Sequence, residues 1–404
     1  MELHELLLND EYIEPYIKIK KNKTIFHIDL LHTEIIDANV LVDIQKKLCF
    51  IKYHYEKYKS SNILVKFTIE ANYFKDRTVV LLLEMMIFSL LDNFDLDIYL
   101  NIRLKDKQTI FYNFFAFSFL ASINRQSLES KDYCVRFANY PGFGYKIHRE
   151  EVYAVHYRKY LDVEEFKRNP DYSTFQQYLS NDILSTLKSI NLNEKILDET
   201  CGIVDELLDN ITFHTKNAYA LIDIGVVKVQ SSKDSDDYYQ FMINVLNISE
   251  NCLYTNIKNV FKNDKEDLKK KDMIEKSYTN QQALFKKDNY TEDLFFMVST
   301  FQNGTTTRNS CGGTGLNKSI INFSKRSQDD IPTHQSYVYS GKNILLFDHD
   351  LLSNSKIGDC IAFNQVNDYN EPPDKKCLSN SVFNLQGTAY NLMFIVKESE
   401  NNDN

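Results

Sequence analysis

Glu206, Asn210 and His214 recur at intervals of four residues within the stretch 196–214, and Gly312-Gly313-Thr314-Gly315-Leu316 follows about a hundred residues later. On an α-helix, residues four apart stand about 6 Å apart along the axis and share one face. A carboxylate, an amide and an imidazole would therefore project in line. Leu197, Val204, Leu207, Leu208 and Ile211 recur at helical spacing and supply a face to bury. The carboxylate can orient or deprotonate a water, and an amide oxygen is a ligand for a hard cation such as Mg²⁺. The chain has 11 glycines in 404 residues, and three of them fall within four positions. Such crowding marks backbone that approaches something closely or takes positive φ. Backbone N–H groups there, opening a helix through Asn317–Phe323, suit an anion. The combination points to a metal–nucleotide site.

The segment Glu206-Leu-Leu-Asp-Asn210-Ile-Thr-Phe-His214 resembles the N-box of the GHKL ATPases, the superfamily of gyrase, chaperone and mismatch-repair ATPases and histidine kinases. Gly312-Gly-Thr-Gly315-Leu316 is similar to the box that cradles the triphosphate in that family. The intervening stretches Ala218–Val229 and Tyr238–Ile248 are expected as strands, Ser336–Phe347 as the family's hairpin, and Phe383–Val396 as its last strand, with the Gly387-Thr388 pair. The family's Asp-x-Gly-x-Gly motif is altered. Asn247 stands where the aspartate reads the adenine amino group, and Ser249 and Asn251 replace both glycines. An amide both accepts and donates, so base selectivity is expected to be looser than with a carboxylate.

The resemblance implies a role for each residue. Glu206 would orient or deprotonate the water attacking the γ-phosphate, and Asn210 would be the protein's ligand to Mg²⁺. Gly312, Gly313, Thr314, Gly315 and Leu316 would hold the phosphates of ATP, Asn247 and Thr388 the base, and Arg308 the γ-phosphate. His214 would contact phosphate or cap its helix. Plainer readings compete: Glu206 and Asn210 as a solvated helix face, the glycines as a tight turn, Asn247 as a strand-end residue, Arg308 as a solubilising side chain.

The expected architecture is an α/β regulatory domain over residues 1–132, a connecting segment over 133–171, and an α/β domain of the α+β two-layer sandwich type over 172–397. Residues 252–311 would form a long lid and 398–404 a disordered tail. In the first third, strands at Thr24–Leu31, Asn62–Ile69 and Leu96–Arg103 alternate with helices at Ala38–Tyr58 and Arg77–Leu91. Phe26–Leu41 resembles the strand-to-helix junction of STAS regulatory domains, which bind partners.

Composition narrows the function class. A net charge of −9 with no long basic run argues against a dedicated nucleic-acid binder. Seven dispersed cysteines without a Cys-x-x-Cys pair fit free thiols in a cytoplasmic protein. The acidic start lacks the basic region of a secretory signal, and the apolar stretch Val79–Leu91 is too short to span a bilayer. It is expected as a buried helix. The chain ends after the presumed last strand, as in the histidine-kinase branch, yet His148 and His156 lie too near the N-box, in strand-like sequence, for autophosphorylation.

The expectation is therefore a Mg²⁺-dependent, ATP-binding and slowly hydrolysing switch acting through its lid on a protein partner, a second copy of the chain included. The alternatives are a nucleotide-degenerate interaction module and a protein kinase acting in trans.

Overall fold

The computed structural model describes residues 1–105, 120, 135–139, 154–168, 172–190, 192–214, 218–230, 237–263, 270–285, 287, 289–302, 315–326, 336–352 and 360–397. The chain divides into two units, Met1–Glu151 and Val152–Asn404.

The first unit opens with a short helix α1 (Leu3–Leu7) and is built on a five-stranded sheet of order β1-β2-β3-β4-β5. Strands β1 (Tyr16–Lys20) and β2 (Lys23–Ile36) form an antiparallel hairpin. β3 (Asn62–Phe74), β4 (Asp97–Leu104) and β5 (Val135–Asn139) then add in parallel. Parallel neighbours need crossovers, and helices α2 (Ala38–Tyr58) and α3 (Arg77–Asn93) provide the first two. Both start on an aspartate cap: Asp37 accepts from the backbone N–H groups of Asn39 and Val40, and Asp76 from that of Val79. As its composition predicts, α3 is buried from Arg77 to Leu91. No helix among the described residues is long and apolar enough to cross a membrane.

The second unit carries an all-antiparallel sheet of order β6-β7-β8-β10-β9. Its strands are β6 (Ala154–Asp162), β7 (Tyr219–Gln230), β8 (Asp237–Ile248), β9 (Tyr337–Leu346) and β10 (Leu378–Lys397). The helices are α4 (Val163–Lys167), α5 (Tyr172–Lys188), α6 (Glu194–His214), α7 (Thr255–Asn263), α8 (Lys271–Gln281), α9 (Glu292–Thr300), α10 (Gly315–Arg326) and α11 (His349–Leu352). Alternate residues along each strand turn to the same face. Ile222, Ile243, Val245, Tyr390 and Leu392 thereby join Val204, Leu207, Leu208 and Ile211 of α6 in one apolar core.

Two expectations require correction. The span 133–171 is not a connector: it supplies β5 to the first sheet and β6 and α4 to the second. Ser336–Phe347 is not a hairpin. It holds one strand, β9, in which Gly341, at φ +63°, bends the chain without reversing it.

Among its described residues, the span 252–302 of the expected lid holds the helices α7, α8 and α9. Leu294, Phe295, Phe296 and Met297 of α9 are fully buried. The Thr291 hydroxyl accepts from the Leu294 N–H to cap the helix and donates to Asn343 Oδ1 of β9 at 2.8 Å. Glu292 and Asp293 pair with Lys258 of α7. Swinging α9 away would expose apolar side chains at roughly 1.5–3 kcal/mol each. The remainder of the expected lid, 303–311, and the tail at 398–404 lie outside the described residues.

Candidate functional site

Helix α6 buries Ile203, Val204, Leu207, Leu208 and Ile211 and leaves Glu206 and Asn210 half-buried at its margin. Against that margin packs the start of α10. A β-carbon on Gly315 would fall 1.7 Å from Glu206 Oε2 and 2.1 Å from Cδ, so only glycine admits the carboxylate at its observed distance. Leu316, Ile320 and Ile321 anchor α10 in the core. Buried Asn317 donates from Nδ2 to the Phe301 carbonyl at 3.0 Å, tying the first turn of α10 to the end of α9. Gln302, also buried, exchanges hydrogen bonds with the backbone of Ile361 and fixes that end in turn.

The sheet supplies the floor. In register, Asn247 of β8 lies opposite Thr388 of β10, which lies opposite Ser340 of β9. Strand alternation turns this row to the same side as the apolar core residues Val245, Tyr390 and Val338. The hydroxyls of Ser340 and Thr388 are 3.2 Å apart. Ser340 donates to the Gly387 carbonyl at 2.5 Å and accepts from the Leu253 N–H at 2.9 Å. Gly387, at φ +117°, sits where a β-carbon would lie 1.9 Å from the Asn247 carbonyl oxygen. A bulge between Leu385 and Thr388 accompanies this contact, and the Ser249 N–H donates to the Gln386 carbonyl at 3.2 Å.

Buried polar atoms are nearly always hydrogen-bonded, so exceptions need a reason. Asn210 Nδ2, Asn247 Oδ1 and Tyr390 Oη are buried without a partner. Asn247 is only 6% exposed. Two of these three residues were selected from the sequence, one as a metal ligand and one as a base reader. Burial pushes the Tyr390 phenol upward, and the Glu206 carboxylate, within electrostatic reach, pushes it further. One residue before Glu206 on α6, burial raises the Asp205 carboxyl, a hydrogen bond from Ser180 at 2.5 Å opposes the rise, and Asp209 adds to it.

The structure thus brings Gly315 to Glu206 and places Asn247 opposite Thr388, while Leu316 lies in the core. The backbone of His214 ends α6, but its side chain, like Arg308, Gly312, Gly313 and Thr314, lies outside the described residues. Among the described residues no group of three or more His, Cys, Asp or Glu could hold a metal ion. A Mg²⁺ ion held by one amide, phosphates and waters needs no such group.

Sequence reasoning missed a second polar constellation. On the opposite face of the sheet, Asp223 accepts from Arg158 Nε at 3.0 Å and Nη2 at 2.9 Å, and His156 Nε2 also contacts it. All three side chains are buried. Only the β6–β7 register, Arg158 opposite Asp223, brings them together, and no local pattern signals it.

Comparison with protein-family models, curated proteins and solved structures returned no match.

Proposed function

We propose that the unit Val152–Asn404 binds ATP with Mg²⁺ and hydrolyses it slowly to ADP and phosphate, and that its nucleotide state is passed to a protein partner in the cytoplasm. The observation that carries this reading is a pair of buried amide atoms without partners, Asn210 Nδ2 one turn beyond Glu206 on α6 and Asn247 Oδ1 on β8, in the unit where the Glu206 carboxylate lies against Gly315. Unmade hydrogen bonds to buried polar groups cost about 1–3 kcal/mol each. A ligand that satisfies both amides recovers that cost.

The residues fit such a ligand. Rotation of the Asn210 amide presents its oxygen where Nδ2 now stands, suited to a hard cation whose other ligands are phosphate oxygens and waters. Bound there, Mg²⁺ would neutralise charge on the phosphates. Asn247 Oδ1 is an acceptor for an exocyclic amino group, with the Thr388 hydroxyl opposite it. The backbone of Gly312, Gly313 and Thr314 would supply N–H groups to phosphate. Glu206 would orient the attacking water, positioning being the main demand of phosphoryl transfer.

A second reading, a nucleotide-degenerate interaction module, draws on Ser249. This residue occupies one of the altered glycine positions, is buried, and donates through its hydroxyl to the Asn251 carbonyl at 3.0 Å.

Calorimetric titration with ATP, ADP and GTP, with and without Mg²⁺, tests the proposal. Wild type should bind Mg-ATP, Asn210→Ala should weaken it at least about tenfold, and Glu206→Ala should bind but release little phosphate. Absence of ATP binding at millimolar concentration would leave the degenerate module as the better account. Radiolabel transferred to a partner protein instead of free phosphate would mark a kinase.

A further inference from the structure

The sheet of the first unit is covered on one face only. Phe26, Val65, Phe67, Ile98 and Leu100 are buried on the covered face, and Phe26 meets Tyr58 of α2 edge-on at 5.2 Å. Strand alternation turns the residues between them to the other face. Every residue so turned between Lys23 and Asp29 of β2, Leu64 and Glu70 of β3, and Asp97 and Arg103 of β4 is half-buried or exposed. That face is open.

One row of side chains crosses it. In register, Tyr16 of β1 lies opposite His27 of β2, His27 opposite Lys66 of β3, Lys66 opposite Tyr99 of β4, and Tyr99 opposite Arg136 of β5. Aromatic rings and cations share one line, with about 4.8 Å between neighbouring strands. Tyr16 is 66% exposed, and its ring lies 5.2 Å from that of His27. Lys66 Nζ stands 5.8 Å from the centre of the Tyr99 ring. Burial lowers the His27 imidazole, Asp29 opposes the fall, and Lys66 and Lys18 add to it, so at neutral pH the ring offers a π-face instead of a further charge.

Lys18, Lys20 and Lys23 flank the row on the same face, and none of them forms an ion pair among the described residues. Carboxylates come from Asp29, Glu70 and Asp97, and Glu70 is taken by Arg103 at 3.6 Å. The local balance is positive in a chain of net charge −9. Screening within about 8 Å at physiological salt lets such a patch act through its own field. An acidic protein would call for cations alone. Rings interleaved with cations match a polymer in which flat bases alternate with phosphates.

We propose that the open face of the first sheet binds single-stranded nucleic acid, with bases stacked on Tyr16 and Tyr99 and phosphates held by Lys18 and Lys66. Each strand contributes one residue to the row, so no basic run in the sequence announces it. Bases in a duplex are stacked on one another, which leaves only the cations to act on it.

The test is fluorescence anisotropy of labelled oligo(U) and oligo(dT), each about ten nucleotides long, with the full chain, no ATP, and rising salt. Micromolar binding is expected at low salt, weakening as salt rises. Tyr16→Ala and Tyr99→Ala should each weaken it about fivefold or more, and Tyr16→Phe and Tyr99→Phe should bind as wild type. Tyr16 is exposed enough that its alanine variant should melt with wild type, which keeps the test valid if Tyr99→Ala unfolds. Lys66→Ala should make the slope of log affinity against log salt shallower by about 0.7. Tighter oligo(U) would mark RNA, through contacts to the 2′-hydroxyl, and tighter oligo(dT) would mark DNA; both support the site. Equal affinity for a duplex or for polyglutamate, or tyrosine-to-alanine variants that bind as wild type, would overturn it and leave a contact of charge alone, of the kind an acidic protein makes. Failure to bind either strand at about 100 μM protein would overturn it outright. None of these results bears on the nucleotide reading of the second unit.

Discussion

Gly315 meets the Glu206 carboxylate so closely that a β-carbon on it would fall 1.7 Å from Oε2, inside any allowed contact. The obstructed atoms are the far end of a flexible side chain, and Gly315 opens a helix at ordinary φ. Gly315→Ala should therefore be accommodated by rotation of Glu206, not by displacement of α10. Alanine also favours a helix over glycine by up to about 1 kcal/mol. The expected outcome is a melting temperature near that of wild type with phosphate release reduced to the level of Glu206→Ala. A large drop in melting temperature would show instead that the carboxylate cannot move and that the contact is structural.

Asn247 offers a complementary test of base recognition. Its amide can accept from an adenine amino group or donate to a guanine carbonyl, so wild type should discriminate weakly between ATP and GTP. Asn247→Asp leaves an acceptor only and should raise the ATP-over-GTP preference by about tenfold, equivalent to about 1.4 kcal/mol. The same change places a carboxylate at a site 6% exposed, so the apo variant should melt lower. Paired titrations with both nucleotides decide it. An unchanged preference would mean that Asn247 does not face the base.

Residue order made some of this legible and hid the rest for identifiable reasons. The i, i+4 spacing on α6 placed Glu206 beside Asn210, because helical geometry is local. The strand–helix alternation of the first unit followed from periods that the chain carries openly. By contrast, the complete burial of Leu294-Phe-Phe-Met297 in α9 and the pairing of Glu292 with Lys262 depend on partners distant in sequence. The resemblance implied a hairpin over Ser336–Phe347, whereas Gly341 keeps its positive φ within the single strand β9, beside the Tyr254 hydroxyl, which would lie 2.6 Å from an added β-carbon. The isolation of the Tyr390 hydroxyl and the Arg158–Asp223 pairing depend on register between distant strands, which no window of sequence reports.

Asp205, one residue before Glu206, ties the site to pH. Burial raises its carboxyl above the ordinary 3.8, against the Ser180 hydrogen bond, with Asp209 adding to the rise. A carboxyl whose folded pKa exceeds its unfolded one binds its proton more tightly in the native state. Its ionisation therefore costs folding free energy as pH rises through the unfolded value toward the folded one, and the cost stays constant above both. Below pH 3.8 the group is protonated in both states and contributes no penalty. Asp205→Asn removes the charge and retains an oxygen for the Ser180 hydroxyl. The variant should be more stable than wild type at neutral pH, and the difference should vanish as pH falls below the unfolded carboxylate range. Because Asp205 is on the helix that carries Glu206 and Asn210, ATP binding should be unchanged at neutral pH if its burial is purely structural. Denaturant titrations of both proteins across that window supply the check: a variant less stable at pH 7 would mean that the Ser180 hydrogen bond outweighs the cost of the buried charge.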